Sequence, residues 1–372
     1  MKMKGKKAAP DLNNNKNYFP VLTGIRAIAA IMVFLYHYNL FFPLQGSSIL
    51  QEFVNQFQTG VSVFFVLSGF LICCRYYDDL QWRQGNWFRK YIKNRIARIY
   101  PMYFLLTVCI FVFFTLTGIK TYNNPYVFLA NIFFVRGFFN DIKFTGIAQG
   151  WTLTVEETFY FLAPVIFIMH KKYKRLFIQP ILLLLSGFLI VKLCSTFWFY
   201  GFMGSYKFML LYTFFGRSTE FFAGIALALF IKKKNVPIIP VKFTYLGSGL
   251  IVFILLVMAL LIKQGHSYIY LVINNFILPF AIAIFFYGLI TEQSFLKKML
   301  SRPKFQLLGK SSYVFYLIHL WFIEQLYLHH IAGNPGIFFV LFIPLWLISI
   351  WLYKFLEEPI NKAIRRSNFL GS

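Results

Sequence analysis

Ten apolar stretches long enough to cross a bilayer alternate with short polar segments, at residues 20–43, 58–74, 100–118, 151–169, 180–200, 208–231, 243–263, 269–290, 312–331 and 337–356. About 20 apolar residues at a rise of about 1.5 Å cover the hydrocarbon core, so each stretch predicts one spanning helix. The fold class that follows is an all-α polytopic membrane bundle of about ten transmembrane helices. Its expected parts are a basic tail over 1–19, a transmembrane domain over 20–356 and a second tail over 357–372. The first apolar run, from Phe19 to Phe42, is too long for a signal peptide and lacks a small-x-small cleavage site, which predicts an uncleaved helix. Residues 126–139 are apolar too. If they crossed, the run Lys171, Lys172, Lys174, Arg175 would move to the outer side, so a re-entrant or interfacial helix on that side is expected.

Composition excludes a pair of soluble domains: of 372 residues 59% are hydrophobic, 21% aromatic and 13% charged. The 37 Lys and Arg against 12 Asp and Glu give a net charge of +25, which in a soluble chain would suggest nucleic acid. On the ten-helix pattern, 29 of the 37 fall in segments 1–19, 75–98, 170–179, 232–242, 291–311 and 354–372, all on one side. Cytoplasmic loops collect Lys and Arg, so both termini are expected in the cytoplasm and nucleic acid is not an expected partner. Cys73, Cys74, Cys109 and Cys194 lie in or beside apolar runs without C-x-x-C or His at ligand spacing, so neither a disulfide frame nor a metal site is expected.

An ionisable group at the centre of a spanning helix costs roughly 2.5–3.5 kcal/mol on insertion scales, so each asks for a partner or a role. Eleven steps of about 100° carry Arg26 to His37 some 20° past three full turns, so both project from one face of the first helix, about 16 Å apart along its axis. Read alone, they fit equally a functional pair lining one wall and a structural one, with Arg26 snorkelling to the inner headgroups and His37 bonded to a backbone carbonyl. The fourth stretch opens Trp151-Thr-Leu-Thr-Val-Glu156-Glu157-Thr-Phe-Tyr160. Neighbouring carboxylates cannot share a helix face, and Glu156 lies about 7 Å in from the outer end, near the depth of His37. A His oriented by a carboxylate is the ordinary arrangement for taking a proton from a hydroxyl. The structural alternative pairs Glu156 with a buried Arg and leaves Trp151 as an interfacial anchor.

Arg217 and Glu220, three apart, predict a structural ion pair. His319 and Glu324, five apart, face different directions and are expected to pair with other helices. Ahead of a helix start marked by Pro101, five cations fall in ten residues, Arg89 to Arg98. Arg95 and Arg98 can converge on a phosphate, or the stretch can lie on anionic lipid.

Taken together, Arg26-x10-His37, Gly60-Val-Ser-Val-Phe-Phe-Val-Leu-Ser68-Gly69-Phe, Arg95-x-x-Arg98 before Pro101, Trp151-Thr-Leu-x-x-Glu156-x-x-Phe-Tyr160, Arg217 with Gly224, and Ser312-Tyr-x-x-Tyr316-Leu-x-His319 with the Glu-Glu-Pro near the end resemble the acyltransferase 3 family, from about residue 17 to 362. The resemblance implies a multi-pass protein of a bacterial plasma or inner membrane. It also implies transfer of an acetyl or other short acyl group from cytoplasmic acyl-CoA to a hydroxyl of a carbohydrate or glycolipid. It makes Arg26 and His37 essential, puts Arg95 and Arg98 on the CoA-facing surface, and sets the family's acidic position on Glu156, leaving Glu157 at a more variable place. Joined to the reading of the residues, the expected catalytic set is His37, as base or acyl carrier, with Arg26 and Glu156; Arg26 also meets the CoA arm, and Trp151, Tyr160 and Glu157 are candidate acceptor contacts. Some members carry a fused extracytoplasmic hydrolase-like domain, which is not expected here; others act alone or pass the acyl group to a separate extracytoplasmic acyltransferase. The competing class is a transporter of a glycan or ion, against which stands the absence of an inverted repeat.

Overall fold

A computed structural model describes residues 18–38, 49–79, 86–194, 196, 199–233, 242–330 and 336–367. The tails 1–17 and 368–372, residues 39–43 of the first stretch and the side chain of Glu324 lie outside the described residues. The described residues are almost entirely helical: α1 Pro20–His37, α2 Ile49–Asn55, α3 Gly60–Tyr76, α4 Asn86–Leu116, α5 Pro125–Ile132, α6 Trp151–Tyr173, α7 Ile178–Cys194, α8 Tyr206–Tyr212, α9 Phe214–Lys232, α10 Phe243–Lys263, α11 Ser267–Val272, α12 Leu278–Thr291, α13 Phe295–Leu300, α14 Pro303–His330, α15 Gly336–Leu352 and α16 Glu358–Arg366. Among the described residues no strand forms, only an isolated bridge between Phe139 and Phe202.

Each apolar stretch is helical over most of its described residues, with 208–231 divided between α8 and α9 and 269–290 between α11 and α12. Among the described residues seven helical segments are long and apolar enough to cross a membrane, at residues 20–37, 49–76, 87–116, 148–173, 206–232, 243–263 and 267–291. The shorter α7, with α14 and α15, takes up the remaining three stretches, completing a polytopic helical bundle. Residues 126–139 do not cross. The 8-residue α5 rises only about 12 Å. Asn124 caps its start, its side-chain oxygen accepting from the Tyr126 amide at 2.9 Å, and the chain then turns back through Arg136–Phe138.

Burial separates inner from outer helices. In the most apolar window of 206–232, 78% of residues are buried, against 28% in α10, so α9 is central and α10 turns Phe253, Leu256 and Leu260 outward. The inner helices meet closely because small residues let their backbones approach. A side chain at Gly69 of α3 would run into the Phe221 carbonyl of α9, and one at Gly224 of α9 into the Val66 carbonyl of α3.

One expectation is corrected. Pro101 does not start a helix; α4 runs through it from residue 86, so the basic stretch is the first half of a spanning helix. Proline removes the amide that would bond the carbonyl four residues earlier. That carbonyl, on Ala97, instead accepts from Asn361 Nδ2 of α16 at 2.8 Å. The same device occurs at Pro164 inside α6, where the freed Tyr160 carbonyl accepts from the Tyr91 hydroxyl of α4 at 2.6 Å. Both cross-helix bonds pin α4, and with it Arg95 and Arg98, against the bundle.

Candidate active site

Arg26 and His37 do share the inner face of α1, but they open into different cavities. The first cavity, of about 370 Å³, lies at the end of the bundle where Tyr18, Arg75, Lys310 and Arg365 gather, and Arg26, Arg95, Arg98, Ser68, Glu156 and Tyr160 also line it. The second, of about 270 Å³, holds His37 with Tyr36, Gln58, Gln149, Trp151, Tyr212, Arg217, Tyr270 and Asn274. Val61 and Tyr316 line both and form their common wall. The Tyr316 hydroxyl is held there by Thr152 Oγ1 at 2.9 Å.

In the first cavity the cations differ in how far they are already engaged. Arg98 pairs with the buried Glu357 at 3.0 Å. Arg95 is buried with its guanidinium over the rings of Tyr76 and Tyr160, at 5.5 and 5.3 Å from their centroids. Among the described residues Arg26 has only a long hydrogen-bond contact, Nε to Ser312 Oγ at 3.4 Å. Arg75, Lys310 and Arg365 form no ion pair among the described residues. On α16, beyond the last spanning helix, Arg365 has its pKa held below the usual value, by burial and then by the neighbouring Arg95, Arg75 and Arg98. Cations packed this closely repel one another and favour a polyanion between them. The one lining carboxylate, Glu156, accepts from both Ser68 Oγ and the Tyr160 hydroxyl.

In the second cavity charge is cancelled. Arg217 is buried against Glu220, with Nε to Oε2 at 2.8 Å, and reaches Ser62 Oγ at 3.2 Å, the ion pair expected from their spacing. The other polar lining groups are uncharged, among them imidazole, phenol, indole and amide: Gln58 Nε2 donates to the Tyr270 hydroxyl at 2.7 Å, and Trp151 packs edge-on to Tyr212. His37 Nδ1 lies 2.9 Å from the Val33 carbonyl and 3.3 Å from His319 Nε2.

A family of acyltransferase domains, acyltransferase 3, matches residues 19–354. The chain belongs to this acyltransferase family. It is 27% identical over 390 residues to a Staphylococcus aureus strain MRSA252 protein named "Putative O-acetyltransferase SAR0937", covering 95% of this chain and 59% of the relative. It is 28% identical over 379 residues to the protein named O-acetyltransferase OatA of Staphylococcus aureus strain NCTC 8325, covering 93% of this chain and 57% of that relative. This acyltransferase chain thus spans somewhat under six tenths of the length of these curated relatives. No solved structure matches it.

The geometry of this acyltransferase rearranges several expected roles. Glu156 does not meet His37: it is held by Ser68 and Tyr160 in the other cavity, while the side-chain partner of His37 is His319. Arg95 and Arg98 line one cavity but do not converge on one empty point, because Glu357 and two tyrosine rings already engage them. The three candidate acceptor contacts separate: Trp151 lines the His37 cavity, Tyr160 the cationic one, and Glu157 neither. Sequence reasoning passed over Arg75, Lys310 and Arg365. They sit at the ends of α3, α14 and α16, where basic residues first read as topology markers.

Proposed function

We propose that this acyltransferase is an O-acetyltransferase that moves an acetyl or other short acyl group from acyl-CoA to a hydroxyl of a carbohydrate or glycolipid, with its basic end in the bacterial cytoplasm. The names of its relatives support the acetyl group, and the charge bias of the sequence supports the orientation. The observation that carries the reading is the pair of abutting cavities, one lined by cations of which Arg75, Lys310 and Arg365 form no ion pair among the described residues, the other by His37, neutral polar groups and the neutralised Arg217.

When bound, acyl-CoA supplies an activated thioester carbonyl. The donor set fits its phosphates, since Arg75, Lys310 and Arg365 lack acidic partners among the described residues. Arg26, about 9 Å along α1 from its first residue, Pro20, lines the first cavity where the acyl arm would pass inward. Val61 and Tyr316 are the residues the acyl end passes to reach the second cavity. There His37 takes the proton of the acceptor hydroxyl as its oxygen forms the new ester bond. The carbon–sulfur bond breaks, and the proton passes on from His37 to the leaving sulfur. Tyr36, Trp151, Tyr212 and Tyr270 give the acceptor amphipathic walls.

The test is purified protein in liposomes given labelled acetyl-CoA and a panel of surface glycans. Label fixed to a sugar hydroxyl supports acyl transfer. Glycan flux without label would overturn the reading in favour of transport.

A further inference from the structure

The base role assigned to His37 leaves open what fixes its ring, and the side chain hydrogen-bonded to it is His319. His319 is fully buried among the rings of Phe34, Phe315 and Tyr316, nearly parallel to Phe315 at 8° with centroids 5.9 Å apart. It lines neither cavity. Its Nδ1 lies 2.9 Å from the Tyr316 carbonyl oxygen. A carbonyl only accepts, so Nδ1 carries the proton and, in the neutral ring, Nε2 carries the lone pair.

That lone pair faces His37 Nδ1 at 3.3 Å, the same atom that lies 2.9 Å from the Val33 carbonyl. Two acceptors around one nitrogen require the hydrogen on that nitrogen. His37 is therefore held with its proton on Nδ1, and Nε2 is the basic atom. Among the described residues no protein group bonds to Nε2, and the side chain lines the second cavity.

We propose that His319 is a positioning residue for His37, holding the tautomer whose Nε2 is free to take the hydroxyl proton. This rests on His37 being the base. Once Nε2 is protonated, the Nδ1–H of a charged ring donates to His319 Nε2, a charge-assisted bond stronger than the neutral one. His319 takes no proton and touches no substrate; it acts through His37.

Without any substitution, ¹⁵N-histidine spectra of the wild-type protein in detergent should show His37 protonated at Nδ1; a proton on Nε2 overturns the proposal. His319→Leu should lower kcat roughly 10- to 100-fold, the loss expected for a hydrogen bond to a charged group, with KM for acetyl-CoA unchanged. His319→Gln, whose side-chain oxygen can stand near the lost Nε2, should recover most of the rate. In a His37→Ala background, His319→Leu should cause no further loss. Equal rates for the Gln and Leu variants, or a further loss on His37→Ala, would contradict the positioning role. Wild-type turnover by His37→Ala alone would instead remove the base assignment, and that shows before any His319 variant is made.

Discussion

Among the described residues, the cavity at the basic end is lined by six cations and one carboxylate, whereas the cavity beyond Val61 and Tyr316 has a single cation, Arg217, which Glu220 neutralises. They share α1, α3, α6 and α14, while α4 and α16 line only the first and α8, α9, α10 and α11 only the second, so the difference comes partly from which end of a shared helix faces in and partly from the helices that each cavity has to itself. Arg26 and His37 show this on α1, and Lys310 and His319 on α14, with His319 reaching the second cavity through His37. An anionic, phosphate-bearing donor fits the first environment. A neutral hydroxyl compound, which a bare cation would not select, fits the second. On the proposed reading, charge sorts donor and acceptor to two cavities that share a wall, and the base belongs to the uncharged one.

Substitutions can break this contrast at either end. The largest effect on turnover is expected from His37→Ala, about 10²- to 10⁴-fold in the rate of acetyl transfer, measured with labelled acetyl-CoA. Next, Arg217→Leu should destabilise the fold by about 3–5 kcal/mol, seen as a lowered melting temperature in detergent, because it strands Glu220 in the core. The double change Arg217→Leu with Glu220→Leu should recover much of that stability, which would mark the pair as a means of neutralising the second cavity. Arg75→Ala combined with Arg365→Ala should weaken acyl-CoA binding roughly 10- to 100-fold and leave kcat at saturating donor nearly unchanged. The smallest effect is expected from Asn361→Ala, about 1–2 kcal/mol of stability from the unpaired Ala97 carbonyl, with a modest rise in KM for acyl-CoA as α4 loosens.

Much of the bundle was legible from local pattern. The apolar stretches are helical over most of their described residues, the spacing of Arg26 and His37 put both on the inner face of α1, and Arg217 with Glu220 formed the pair their three-residue spacing implied. What failed depended on residues far apart in the chain. Pro101 reads as a helix start until Asn361, 260 positions later, supplies the donor its ring removes. Glu156 at the depth of His37 suggests a dyad, yet rotation about α6 turns it to Ser68 and Tyr160. His319 pairs with His37 across 282 positions, a contact that no local period encodes. Arg75, Lys310 and Arg365 were hidden for a different reason: in a chain with so many basic residues, cations that mark topology and cations that meet a ligand look alike until folding gathers a few of them around one space.

The most direct test of this division is a paired measurement on two variants, His37→Ala and Arg75→Ala with Arg365→Ala, recording acetyl-CoA affinity by calorimetry and label transfer at saturating acetyl-CoA. The account predicts opposite patterns: wild-type affinity with lost transfer for the first, and weakened affinity with nearly wild-type transfer for the second. If both variants lost affinity and transfer together, or if His37→Ala transferred label at the wild-type rate, the division of donor binding and base between two cavities would be wrong.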